Sequence, residues 1–76
     1  MNTPLPEKVQ KLFLIFKEAV EDERNAQIMY KKAAELCEDE MCREVFEGFY
    51  SDEVRHEKIL MQRYKMLREK YGVDKE

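Results

Sequence analysis

The sequence predicts an all-α protein: an antiparallel two-helix hairpin that pairs with a second copy to complete a four-helix bundle. Three observations lead there. Apolar residues recur at spacings of three and four through both halves of the 76-residue chain. A capping signal, Glu38-Asp39, sits at the middle. Each apolar stripe is broken at its centre by ionisable side chains, Glu23 in the first half, Glu53 and His56 in the second.

The first helix is expected to open at Thr3 as N-cap, with Pro4 and Pro6 in its first turn, where proline costs least. From there to Cys37 the chain has neither Gly nor Pro. Val9, Leu12, Phe13, Phe16, Ala19, Val20, Ala26, Tyr30, Ala33, Ala34 and Cys37 mark one apolar face. Extending that series through its gap lands on Glu23. The second helix repeats the pattern with Cys42, Val45, Phe46, Phe49, Leu60, Tyr64, Leu67 and Tyr71, and its gap holds Glu53 and His56. Gly72 reads as the residue just past its C-terminus, with Val73 to Glu76 as a loose tail. The chain is one domain without linker, repeat or low-complexity tract.

No Gly or Pro marks the reversal, so a single unbroken helix is the alternative. Asp39 as N-cap of the second helix favours the hairpin. With a turn near Glu38-Asp39, Glu23 and Glu53 each lie about 15 residues from it, roughly 22 Å along the bundle and at one level. In a straight helix they would be some 45 Å apart.

Composition excludes several classes. A net charge of -3 with interspersed signs leaves no basic footprint for nucleic acid. The longest apolar run, Leu12 to Phe16, is far too short to span a bilayer. The N-terminus has no basic segment followed by an apolar one, so a cytoplasmic location is expected. Two helices enclose little core, and a chain this small needs a metal, a disulfide or a partner.

Ionisable groups in apolar stripes are costly unless paired or metal-bound. Residues three apart on a helix share a side, so Glu53 and His56 can hold one ion through oxygen and nitrogen. Carboxylates with one imidazole suit iron or manganese better than structural zinc, which favours thiolates and more histidine. One chain offers two carboxylates and one imidazole. A two-fold dimer offers four and two, enough for two metal ions, and completes the core. The competing interpretation is structural: Glu53 pairs with Arg24 or Lys58, and His56 is an ordinary half-buried imidazole.

The stretch Glu23-Arg24-Asn25-Ala26-Gln27-Ile28-Met29-Tyr30, followed by Asp52-Glu53-Val54-Arg55-His56-Glu57, resembles the rubrerythrin branch of the ferritin-like superfamily. In that family one helix carries Glu-x6-Tyr and the next Glu-x-x-His. Tyr30-Lys31-Lys32-Ala33-Ala34-Glu35 is similar to the continuation of the first of these helices, and the likeness covers about residues 7 to 71. With one hairpin instead of two, the chain is similar to encapsulated ferritins, whose di-iron site assembles between subunits. The rubredoxin cysteine pairs of full-length members have no counterpart here, and no encapsulation tail is visible after Gly72.

The resemblance implies two iron ions per dimer, with manganese or another divalent metal as substitutes. It makes Glu23 a carboxylate ligand, Glu53 a bridging ligand and His56 the nitrogen ligand. Tyr30 becomes an outer hydrogen-bond partner of a ligand carboxylate, against the simpler view of it as a core aromatic. The implied chemistry is oxidation of Fe(II) by oxygen or peroxide, or reduction of peroxide with an external electron donor. The implied partner is a second copy, or a higher even number. A structural dimerisation module and a metal-binding protein without turnover are the alternatives. Glu57, Glu21 and Asp22 lie off the stripe centre and are expected to be solvated. Cys37 and Cys42 flank the turn and are expected to be small reduced core residues rather than a disulfide.

Overall fold

The computed structural model describes residues 5–73 and contains two α-helices, α1 (Glu7–Leu36) and α2 (Glu40–Lys70), folded into an antiparallel hairpin. Each is roughly 46 Å long at 1.5 Å per residue. The unbroken-helix alternative is thereby ruled out. No helix among the described residues is long and apolar enough to cross a membrane.

α1 begins later than expected. Pro6 is its N-cap, with ψ of 146°, and its carbonyl accepts from the amides of Val9 and Gln10, both at 3.0 Å. A proline disfavours helical backbone in the residue before it, so the helix cannot extend back through Leu5. The expected cap Thr3 and Pro4 lie outside the described residues. Pro6 has no side-chain oxygen to cap with; instead Gln10 donates from Nε2 to the Leu5 carbonyl at 2.8 Å.

The reversal takes three residues, Cys37 to Asp39. Asp39 is the N-cap of α2, as its chemistry predicts, and its Oδ1 accepts from the Cys42 amide at 2.8 Å. Arg43 ties the two helix ends together, donating to the Cys37 carbonyl at 3.3 Å and to Glu40 at 2.7 Å. Contrary to the reduced state expected from sequence, Cys37 and Cys42 form a disulfide, with Cα atoms 5.7 Å apart. The extended backbone at Cys37 and the first turn of α2 bring the two side chains together.

α2 is closed off just past Tyr71 by Gly72, whose φ of +71° is left-handed. The Gly72 amide donates to Glu69 and the Val73 amide to Arg68, at 3.2 and 2.8 Å. These two bonds form a Schellman cap. Val73, expected in the loose tail, is therefore fixed, and Arg68 Nε also donates to its carbonyl. The remaining tail, residues 74–76, lies outside the described residues.

The seam between the helices is narrow. Among the described residues only Phe13, Val20 and Ala34 are buried, all on α1. Aromatic clusters flank the centre at either end. Tyr64 meets Phe13 edge-on at 5.6 Å and stacks on Phe16 at 5.8 Å. Tyr30 packs against Phe46 and Phe49 at 6.1 and 5.4 Å. The mid-level between these clusters is where the polar side chains converge.

Candidate metal centre

Glu23 on α1 and Glu53 and His56 on α2 meet at that mid-level. One carboxylate oxygen from each glutamate and one ring nitrogen of His56 all lie within 4.8 Å of one another. His56 Nδ1 is 3.2 Å from Glu53 Oε1 and 3.8 Å from Glu23 Oε1. The three-residue spacing aligns Glu53 with His56, and the short turn sets Glu23 at their height. The two glutamate side chains are 22% and 20% exposed, while His56 is 49% exposed. The cluster is thus sheltered by the hairpin on one side and open on the His56 side.

Among the described residues, neither Glu23 nor Glu53 is paired with a lysine or arginine. The expected competitor Arg24 turns to Glu57 instead: its Nε donates to Glu57 Oε2 at 2.7 Å. Gln27 Nε2 donates to Glu57 Oε1, also at 2.7 Å, and reaches the Glu53 carbonyl at 3.4 Å. Glu57, expected to be a solvated surface acid, is therefore the centre of an inter-helix clamp. Rotation explains it: Glu57 lies 100° around α2 from His56, on the other side of the seam. Gln27 was not foreseen as part of the site, although it occupies an apolar-stripe position between Glu23 and Tyr30, a signal of the same kind.

The hydrogen bond from Arg24, then that from Gln27, hold the Glu57 carboxyl below its ordinary value of 4.5, with burial opposing. A lowered folded-state value means that Glu57 stabilises the hairpin above about pH 4.5 and loses that contribution as pH falls through the lowered value. Glu57→Gln should therefore be less stable than wild type at pH 7, and the gap should close in acid. Parallel urea melts at pH 7 and pH 3 that show a constant gap would refute this account of the clamp.

Comparison of the chain with protein-family models, curated proteins and solved structures finds no match.

Two carboxylate oxygens and one imidazole nitrogen form a hard, mixed donor set. It fits a divalent first-row metal with coordination positions left over, and it does not fit a closed thiolate-rich zinc site. The absence of a lysine or arginine on the two acids matters here. Among the described residues the one potentially cationic group within 4 Å of them is His56, when protonated; a bound ion would serve the same end. Tyr30 stands two turns from Glu23, packed among Phe46 and Phe49. Among the described residues its hydroxyl makes no hydrogen bond to either glutamate, so its observed role is aromatic packing.

Proposed function

We propose that this chain is a di-iron carboxylate protein of the rubrerythrin-like, ferritin-like kind, whose centre is completed by a second copy of the hairpin. The carrying observation is the convergence of Glu23, Glu53 and His56 within 4.8 Å, without a lysine or arginine on either acid. In this interpretation Glu23 and Glu53 would supply carboxylate oxygens and His56 a nitrogen to the ions. Tyr30 supports the ligand helix from the next aromatic layer.

Assembly follows from what the hairpin leaves uncovered. Val45, Phe49, His56, Ile59 and Met66 are all exposed and share one side of α2 at spacings of three, four and seven residues. The matching series on α1 runs Leu12, Phe16, Ala19, Glu23, Ala26, Tyr30 and Ala33, with alternating steps of four and three. Those are the steps of a left-handed helix-bundle seam. A compact monomer of 9.2 kDa exposes about 4,900 Å²; this chain exposes 6371 Å². A two-fold partner laid on this face buries the surplus and brings a second Glu23, Glu53 and His56 to the open side of the first set. Phe49 is exposed on this face, whereas Phe16, Phe46 and Leu60 turn partly into the seam.

Iron held by Glu23, Glu53 and His56 would supply redox chemistry toward oxygen or peroxide. The chain's own residues would bind and orient: the two glutamates and His56 would hold the ions at mid-bundle, between the two aromatic clusters. A cytoplasmic setting suits this interpretation, and there ambient thiols would reduce the Cys37–Cys42 bond.

A second interpretation has a specific observation in its favour. His56 Nδ1 lies close enough to both acids for a protonated imidazole to bridge them as a structural ion pair. Anaerobic Fe(II) addition followed by oxygen or peroxide separates the two. The first expects ferric absorption to rise faster than in protein-free buffer, and expects Glu53→Ala to abolish the acceleration. Iron binding without acceleration by either oxidant would leave a metal-binding protein without turnover. No iron binding at all would leave the structural ion pair.

A further inference from the structure

We propose that the Cys37–Cys42 disulfide is a thiol–disulfide exchange site at the tip of the hairpin, reversibly reduced by a dithiol while the helices stay folded. The sequence separation of the bond is 5, so it closes a very short loop and constrains the unfolded chain far less than a long-range cross-link. The turn is already fixed without sulfur. Asp39 caps α2 through the Cys42 amide, the Cys37 amide reaches back to Ala33 and Ala34, and Arg43 binds the Cys37 carbonyl. The helices are joined further along by aromatic packing and by the Arg24–Glu57–Gln27 clamp. Breaking the bond therefore removes no contact on which the hairpin depends.

The bond is also reachable. Both cysteines are half-buried, and the flanking Leu36 and Met41 are 73% and 80% exposed, so the tip that carries the bond is open to solvent. The two sulfurs are not equivalent. Cys42 lies in the first turn of α2, where free backbone amides favour a thiolate. Arg43 adds positive charge there, while Glu38, Asp39 and Glu40 oppose it. Cys37 ends α1, where the dipole disfavours a thiolate.

A reductant thiolate thus attacks Cys37 Sγ. The sulfur–sulfur bond breaks, and Cys42 leaves with the electron pair and takes a proton from water. The second thiol of the reductant, losing its proton, attacks the mixed disulfide, releasing Cys37 as a thiol and closing the reductant's own disulfide. Two electrons pass from the dithiol to the protein, and all atoms are conserved. Because the capped turn still holds the two cysteines side by side, re-oxidation returns the same bond.

The pair lies roughly 16–21 Å along the helices from the Glu23, Glu53 and His56 cluster, so the proposal stands or falls independently of the metal reading. The test uses the full chain in native buffer. After dithiothreitol treatment, iodoacetamide labelling is counted by mass spectrometry and helix content is followed by circular dichroism. The expected result is no label before reduction and two labels after it, with the helical signal unchanged. Oxidised glutathione should then restore the unlabelled form. Labelling that requires denaturant, loss of helix on reduction, or free thiols in air-equilibrated protein would each overturn the proposal.

Discussion

Replacing His56 by Ala should lower the affinity for iron by more than about 100-fold while leaving helix content intact. Loss of an outer hydrogen-bond partner of a metal ligand already costs roughly 10–100-fold, and His56 is the only nitrogen donor in the cluster. Its side chain is half exposed and belongs to no aromatic layer, so its removal costs little packing. The wild-type chain should carry roughly one iron per subunit, because two ions are shared by a two-fold pair. Metal analysis of both proteins after anaerobic loading and desalting decides the matter. Equal iron in wild type and His56→Ala would remove Glu23, Glu53 and His56 from any metal role. Glu57→Gln is the appropriate control, since Glu57 faces Arg24 and Gln27 rather than the cluster.

The second large effect is on assembly. Removing metal should lower the melting temperature by about 10–20 °C at saturating iron. The basis is mass action: ligand at a hundredfold excess over Kd stabilises by about 2.7 kcal/mol. In a domain this small each kcal/mol moves the midpoint by about 4–8 °C. The molecular cause is charge. A two-fold pair brings four carboxylates into one small volume, and without ions only two imidazoles stand among them. Chelation should therefore shift the dimer toward monomer, and Phe49→Glu should do so whether or not metal is present. Sedimentation with and without chelator measures both. A folded monomer in every condition would reject the shared centre, as would a midpoint indifferent to chelation.

Much of this arrangement was legible in the residues, and the illegible part has identifiable causes. Asp39 and Gly72 were readable because capping and left-handed backbone depend on local chemistry alone. The meeting of Glu23 with Glu53 was readable because distance along a helix is arithmetic once the turn is placed. The partner of Arg24 was not. Glu53 and Glu57 are one turn apart, and only the rotation of α2 about its axis decides which of them faces Arg24. The disulfide was equally open, since its spacing allows a bond or two thiols and the path of the three-residue turn selects between them. The start of α1 was misplaced because two prolines offered competing first turns, and Pro6 excludes helix before itself.

The brevity of that turn makes the centre intolerant of insertions and deletions. One residue added between Cys37 and Asp39 turns α2 by 100° about its axis if the helices keep their places. Both helices would survive, since their caps and stripes move with them. The carboxylates would nonetheless part company: Glu53 would point away from Glu23, and a neighbour of different chemistry would take its angle. Loop length is ordinarily the most forgiving parameter of a protein chain, with each doubling costing only about 0.6 kcal/mol. Here it acts as part of the ligand specification. Linker grafts or circular permutation through residues 37–39 should produce helical protein that has lost its centre, so chain engineering belongs at the N- and C-terminal ends of the hairpin instead.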